Sequence, residues 1–202
     1  MNSAGTAYRP VKFLDRLEGD QHIVMFYDDE KNADLLIARY FKNGLDKGGS
    51  CVFLTDQDPK AIEGRLASQG LDVDRYAKEN RLRIFDTRSS GTSETDVLKA
   101  QRAMTAESTK GMTPPFRLAG VTIPDIESVK GMQLGMEFEK SGQAHWGEFG
   151  ISLLCFYDIR KLERSRREEW ARGLLESHHQ AIYASDPDRA VGFGTLLLEA
   201  ED

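Results

Sequence analysis

The chain has 202 residues, of which 40% are hydrophobic and 30% are charged, and its formal net charge at pH 7 is −6. This length supports one domain with a sizeable core and is short for two. The negative charge argues against direct DNA or RNA binding, and no apolar run approaches the roughly 18 residues of a membrane helix. Because residues 1–12 also lack the apolar core of a signal peptide, we expect a cytoplasmic protein without membrane contact.

Hydrophobic periodicity predicts an arm and a short helix over residues 1–19, followed by a single α/β domain over residues 20–202. The predicted strands cover residues 22–27, 51–55, 82–85, 116–122, 151–157, 181–183 and 191–198. The predicted helices cover residues 11–17, 30–46, 58–68, 72–79, 94–110, 128–141 and 165–177. Strands alternating with helices are typical of a three-layer fold with a mostly parallel sheet. The last two strands are close enough in sequence to form an antiparallel hairpin at one edge.

The junction between the first strand and the next helix, residues 27–32, contains no glycine and three carboxylates. In nucleotide-binding α/β proteins this junction is a Gly-rich loop that holds phosphates at the helix N-terminus. The sequence therefore predicts that a polyphosphate is not bound here in the usual way.

Acidic residues follow four of the predicted strands, at Asp28, Asp56, Asp86 and Asp158. Ligands of open parallel sheets bind at the carboxyl ends of the strands, so we expect these carboxylates near one rim. Each aspartate has an alternative role as a helix cap or turn residue. Tyr27 and Tyr157 stand at the same strand ends, where a phenol can serve a ligand site or pack in the core.

Several segments resemble one known family when their order and spacing are taken together. These segments are His22-Ile-x-x-Phe-Tyr27, Tyr40-Phe-x-x-Gly44-Leu-x-x-Gly48, Asp58-Pro59, Gly70-Leu-Asp-x-Asp74 with Arg81-Leu82, and Cys155-Phe-Tyr-Asp158. Over about residues 20–185 they are similar to the MEDS domain, the methanogen/methylotroph sensory domain of the DcmR type. His178 stands where that family places a late histidine.

The resemblance implies a fold like that of the RecA/KaiC-type ATPases without their phosphate loop. It also implies a signal-input domain that senses a small organic, hydrocarbon-like ligand. Such domains are usually attached to a helix-turn-helix, kinase or other output module, and the sequence shows none. We therefore expect a protein partner, such as a kinase or transcription regulator, or a homo-oligomer, to carry the signal.

The predicted ligand site unites the strand-end residues with two histidines suggested by the resemblance. It comprises His22, Tyr27, Asp28, Asp56, Asp86, Tyr157, Asp158 and His178. His22 is a candidate switch residue because imidazole titrates near neutral pH, and a structural histidine is the alternative. Trp146, in a Gly-rich segment, is either a lid over an apolar ligand or part of the core edge.

Catalysis and metal binding have little support in the sequence. No Gly-x-Ser-x-Gly nucleophile motif occurs, and Cys51 and Cys155 lie inside apolar strands, which predicts buried, reduced thiols. Adjacent His178 and His179 suggest a metal together with His22, Asp28 and Asp158, but no metal-ligand spacing supports it. We expect no metal, no cofactor and no catalytic residue. The alternatives are a degenerate ATPase-like module acting through assembly and a metal enzyme at the acidic rim.

Overall fold

The computed structural model describes residues 9–89, 96–185 and 190–194. The strands in these ranges are β1 (His22–Tyr27), β2 (Ser50–Thr55), β3 (Leu82–Asp86), β4 (Phe116–Gly120), β5 (Ile151–Asp158), β6 (Gln180–Ala184) and β7 (Val191–Gly194). The helices are α1 (Pro10–Arg16), α2 (Glu30–Asp46), α3 (Pro59–Ser68), α4 (Val73–Lys78), α5 (Val97–Thr109), α6 (Val129–Ala144) and α7 (Arg167–Glu176). Within the described ranges, no helix has the length and apolar character needed to cross a membrane.

All seven strands form one sheet in the order β3-β2-β4-β5-β1-β6-β7. Every neighbouring pair is parallel except β6 and β7, which are antiparallel at one edge. The predicted α/β class, with a mostly parallel sheet and an antiparallel edge hairpin, is therefore confirmed. β1 lies between β5 and β6 and is buried along most of its length, which explains why its sequence is continuously apolar.

Alternation along β1 decides which side chains reach which helical layer. Ile23 and Met25 point into a core shared with α1, α2, α3 and α4. Val24 and Phe26 point into the opposite core, which α6 and α7 cover. His22 has the same parity as Val24, so it faces the layer that contains α6.

The short first helix is packed as part of this core. Leu14 and Leu17 are both buried in the cluster that includes α2, and α1 lies against α2. The predicted arm before it, at residues 1–8, lies outside the described residues.

Most predicted bounds differ from the structure by one to three residues, and the ends of β4 and α6 are examples. β4 ends at Gly120, and a turn follows at Asp125, whose carboxylate accepts bonds from the N–H groups of Glu127 and Ser128. α6 runs to Ala144, beyond its predicted end, and packs against α5. After β3, residues 87–89 form one turn of 3₁₀ helix, and residues 90–95 lie outside the described ranges. Residues 195–198 of the last predicted strand also lie outside them.

The two cysteines are buried and free, as predicted. Cys51 is on β2, and its thiol lies 3.5 Å from the carbonyl oxygen of Phe41. Cys155 is on β5 and points into the core that α6 covers. The two thiols therefore lie on opposite faces of the sheet.

The turn before α6 sets a testable constraint at Gly131. A methyl group at this position would overlap the backbone oxygen of Asp125, whereas one at the exposed Gly64 in α3 would meet nothing within 4 Å. We expect Gly131→Ala to lower the free energy of unfolding by about 1–3 kcal/mol because the turn must shift. Gly64→Ala should raise it by about 0.4–1 kcal/mol through helix propensity. Urea denaturation measures both, and a Gly131→Ala variant as stable as Gly64→Ala would contradict the packing of this turn.

Candidate functional site

A cleft of about 310 Å³ opens at the carboxyl ends of the central strands. Four of the eight predicted ligand residues line it, namely Tyr27, Asp56, Tyr157 and Asp158. Asp28 and Asp86 also stand at strand ends but do not line the cleft. The hydroxyl of Tyr183 donates to Asp28 at 3.1 Å, and Asp86 pairs with the adjacent Arg88 at 2.7 Å.

The cleft is acidic. Its lining carries five carboxylates and two cationic side chains, from Glu30, Asp56, Asp125, Glu127 and Asp158 against Arg65 and Lys161. Arg65 is already paired with Asp34 at 2.6 Å, which weakens its attraction for an anion. Asp158 is bonded by Arg160, and that hydrogen bond lowers the pKa of the Asp158 carboxyl. The electrostatic field of the cleft therefore opposes a polyphosphate.

The N-terminus of α2, where a phosphate loop would act, is occupied by the chain's own carboxylate. The Oδ1 atom of Asp29 accepts the backbone N–H groups of Lys31 at 2.8 Å and Asn32 at 3.2 Å. An aspartate cap of this kind satisfies the same donors that bind phosphate at such helix ends. The prediction that this junction does not hold a polyphosphate thus has a structural basis.

The other two predicted residues, His22 and His178, are not at the rim. Both are almost fully buried beneath the sheet, on the side of α6, where they meet the carboxylate of Glu139. The Oε2 atom of Glu139 lies 3.4 Å from Nε2 of His22 and 3.6 Å from Nε2 of His178. The Sγ atom of Cys155 lies 3.5 Å from Nε2 of His22. We call these four residues the buried cluster.

The second oxygen of Glu139 is held by hydroxyl groups. Tyr157 donates to Oε1 at 2.5 Å, and Thr122 donates to the same atom. Tyr157 also lines the rim cleft, so its ring lies between the cleft and the buried cluster. The carboxylate is therefore fixed with Oε1 satisfied and Oε2 directed at the imidazoles.

The two imidazoles are fixed through their Nδ1 atoms. His178 Nδ1 lies 2.6 Å from the carbonyl oxygen of Leu174, which can only accept, so Nδ1 carries the proton. His22 Nδ1 lies 3.1 Å from Oε1 of Gln143. In contrast, His179 Nδ1 accepts the backbone N–H of His22 at 3.1 Å. One of the two adjacent histidines thus joins the cluster, and the other positions β1.

Burial and proximity set the ionisation of the cluster. Burial by itself raises the pKa of Glu139, but His178 and His22 outweigh it and bring the pKa to about 2. Burial lowers the pKa of His178 to about 3, and the neighbouring His22 adds to this. Burial and the Glu139 charge raise the pKa of the Cys155 thiol well above its usual value. At neutral pH this core therefore holds an ionised carboxylate, a neutral His178 and a protonated thiol.

A small apolar pocket of about 50 Å³ adjoins the buried cluster, between the sheet and the helices α5 and α6. Its apolar lining comes from Leu54, Met104, Leu118, Phe138, Phe149, Ile151 and Leu153. Two buried polar atoms in the lining have no hydrogen-bond partner, Oε1 of Gln101 and Nε1 of Trp146. The surface of the pocket itself is almost entirely apolar, and these two polar atoms lie in the residues around it without being exposed to it.

Trp146 closes one side of this pocket. Its ring stacks on His22 with centroids 4.3 Å apart and planes 8° from parallel. It is buried in the core cluster with Ile151 and Leu118. The tryptophan that the sequence suggested as a lid thus lies over His22 and the apolar pocket, and does not line the rim cleft.

Sequence reasoning missed Glu139, although a signal was present. Met132, Met136 and Glu139 have the spacing i, i+4, i+7 and so share the inward stripe of α6. A carboxylate on an apolar stripe is rarely buried without partners. This departure from the apolar pattern pointed to a polar site beneath the sheet.

Comparisons with known proteins agree with this architecture. The family model for MEDS, the methanogen/methylotroph, DcmR sensory domain, matches residues 21–173. Among solved structures, a KaiC-like protein from the hyperthermophilic archaeon Pyrococcus horikoshii is similar with a TM-score of 0.58 and 18% identity. That match covers 84% of this chain and 74% of the other and shows a shared RecA/KaiC-like fold. The search of curated proteins finds no match.

The buried neutral His178 predicts a pH dependence of stability. Its pKa is about 3 in the folded protein and about 6.5 when unfolded, so between these values the unfolded chain binds more protons. The free energy of unfolding should therefore be highest above about pH 6.5 and fall on acidification, by up to about 1.4 kcal/mol per pH unit for this histidine. Urea denaturation between about pH 7.5 and about pH 5, in chelator to exclude metal effects, measures the slope.

The matched variants are His178→Asn and His145→Gln. Asparagine keeps a donor near the carbonyl oxygen of Leu174 and removes the titrating ring, so the pH slope should decrease. His145 lies outside the buried cluster, with its Nδ1 near the carbonyl oxygen of Ser141, and His145→Gln should keep the slope. An unchanged slope in His178→Asn would show that this histidine is not held neutral by burial.

Proposed function

The chain belongs to the MEDS family of sensory domains, and we propose that it is a non-catalytic signal-input domain that binds a small organic molecule. The observation that carries this proposal is the apolar pocket beside His22 and Trp146. Its surface is almost entirely apolar, and two polar atoms of the residues around it, Oε1 of Gln101 and Nε1 of Trp146, are buried without a partner, although buried polar atoms are normally satisfied. A ligand with a short carbon skeleton and at most one small polar or halogen substituent suits this apolar surface.

The size of the pocket supports a very small ligand. Its volume of about 50 Å³ exceeds the roughly 10–15 Å³ that one water needs and is below the roughly 150 Å³ of a site that holds benzene. A molecule of a few heavy atoms fits this range. The inference agrees with the hydrocarbon-like ligands that the family resemblance implies.

The rim cleft is a less suitable site for such a ligand. Its carboxylates are solvated or bonded to arginine, as Asp158 is to Arg160, and these groups favour polar or cationic molecules. Of the eight residues predicted from the sequence, His22 is the one that lines the apolar pocket. We therefore assign the ligand to the pocket next to His22, and we regard Tyr27, Asp56 and Asp158 as residues of the rim.

Helix α6 is a candidate path from the pocket to a partner. Phe138 and Glu139 on its inner side line the pocket, whereas Leu134 on the same helix is 58% exposed. Movement of α6 on ligand binding would change the surface around Leu134. A kinase, a transcription regulator or a second copy of this chain that contacts this surface would then receive the signal.

A thermal-shift screen with alcohols and halocarbons of about one to three carbons tests the ligand class. A molecule present at about 100 times its Kd should stabilise the protein by about 2.7 kcal/mol. Thr105 lines the pocket and is half-buried, so Thr105→Phe should fill it and abolish the shift. Asp56→Asn, at the rim, should leave the shift intact. If Asp56→Asn removes the shift and Thr105→Phe keeps it, the ligand binds at the rim.

The same assay with ATP and magnesium should give no stabilisation. Asp29 occupies the N-terminus of α2, and the acidic cleft repels phosphates. An ATPase with an intact phosphate loop serves as the positive control. A clear shift with ATP and magnesium would instead support the degenerate ATPase alternative.

A further inference from the structure

We propose that His22, Glu139, Cys155 and His178 form a binding site for a first-row divalent metal ion, with zinc as the best match. One ligand atom from each residue lies within 4.8 Å of all the others, and all four residues are buried. They come from β1, α6, β5 and the residues after α7, so the fold alone brings them together. This proposal is independent of the organic ligand and stands whether or not the apolar pocket is used.

Three of the six distances between donor atoms match the edges of a tetrahedral site. Zinc bonds of about 2.0–2.1 Å to nitrogen or oxygen and about 2.3 Å to sulfur place ligand atoms about 3.3–3.7 Å apart in a tetrahedron. The Oε2 atom of Glu139 is 3.4 Å from Nε2 of His22 and 3.6 Å from Nε2 of His178. Sγ of Cys155 is 3.5 Å from Nε2 of His22. The remaining pairs lie within 4.8 Å, so the side chains must move closer together to surround one ion.

The ligand residues also make hydrogen bonds through the atoms that would not touch the metal, as metal ligands in proteins typically do. Metal-bound histidines typically donate their other ring N–H to a carbonyl or carboxylate, and ligating carboxylates are themselves hydrogen-bonded. His178 donates Nδ1–H to the carbonyl oxygen of Leu174, and His22 Nδ1 is bonded to the side chain of Gln143. Tyr157 donates to the far oxygen of Glu139. These bonds leave Nε2 of His178, Nε2 of His22 and Oε2 of Glu139 with a lone pair directed toward the centre of the buried cluster.

A shared proton explains these distances less well than a metal. A hydrogen bond between an imidazolium and a carboxylate is usually about 2.7–2.9 Å long. The two separations between Glu139 and the histidines, 3.4 and 3.6 Å, are longer than that. Among the described residues, the basic groups within 4 Å of the Glu139 carboxylate are these two imidazoles. Neither imidazole is close enough for a short, charge-assisted bond.

Charge and donor type identify the class of metal. Imidazole nitrogen and thiolate sulfur favour zinc, cobalt(II) or iron(II) over magnesium and calcium, which prefer oxygen ligands. When the ion binds, the Cys155 thiol loses its proton to solvent and the thiolate forms the metal–sulfur bond. One thiolate, one carboxylate and one divalent cation then sum to zero, which lowers the cost of burying the Glu139 charge.

The first test is the metal content of the untagged 202-residue chain expressed with added zinc. Elemental analysis by mass spectrometry should find about one zinc per chain after removal of loosely bound ions. Refolding with cobalt(II) should give the visible absorption of a tetrahedral cobalt site and a near-ultraviolet band from thiolate-to-cobalt charge transfer. A wild-type protein that binds neither ion after both procedures would overturn the proposal.

The second test compares two buried cysteines. Cys155→Ala should lose the charge-transfer band, whereas Cys51→Ala, on the other face of the sheet, should keep it. His178→Asn should lower the metal affinity at least about 10-fold, because mutation of residues that only hydrogen-bond to a metal ligand already has an effect of this size. A Cys155→Ala variant that keeps the thiolate band, or a Cys51→Ala variant that loses it, would overturn the assignment. Should Cys155→Ala not fold, the stoichiometry and cobalt spectrum of the wild type decide the question.

Discussion

The constraint on which this structure depends most is the ionised carboxylate of Glu139 inside an apolar core. A charge in that position is costly unless hydrogen bonds and opposite charge compensate it. Two hydroxyls, from Thr122 and Tyr157, satisfy one oxygen, and two imidazoles approach the other. The partners come from β1, β5, the loop after β4 and the residues after α7. One buried side chain thus requires that four separate parts of the chain be correctly placed.

This arrangement explains how a RecA/KaiC-like fold can serve without a phosphate loop. In such folds the ligand usually binds at the carboxyl ends of the strands. Here the helix N-terminus at that rim is capped by Asp29, and the cleft carries an excess of carboxylates. A second polar group, the buried cluster, lies beneath the sheet next to an apolar pocket that His22 helps to line. A sensory domain gains from this position, because a ligand there contacts the helices that cover the sheet.

Much of the fold could be predicted from the sequence, because local patterns determine it. The bounds of β1 and α2 follow from an apolar run and an amphipathic stripe, and both match the structure. The aspartates after the strands were correctly placed at strand ends, yet several serve local turns, as Asp158 does with Arg160. Short-range sequence gives no information on which strand lies beside which. The cluster depends on β1 pairing with β5, which sets His22 opposite Leu153 and brings Cys155 close to it.

The most direct test of the buried cluster is anomalous X-ray scattering from crystals of the zinc-loaded protein, measured on both sides of the zinc absorption edge. We expect one strong peak about 2.0–2.3 Å from each of the four donor atoms, which are Nε2 of His22 and His178, Oε2 of Glu139 and Sγ of Cys155. Its absence, together with a short direct bond between Glu139 and a protonated imidazole, would show that a proton and not a metal compensates the buried charge.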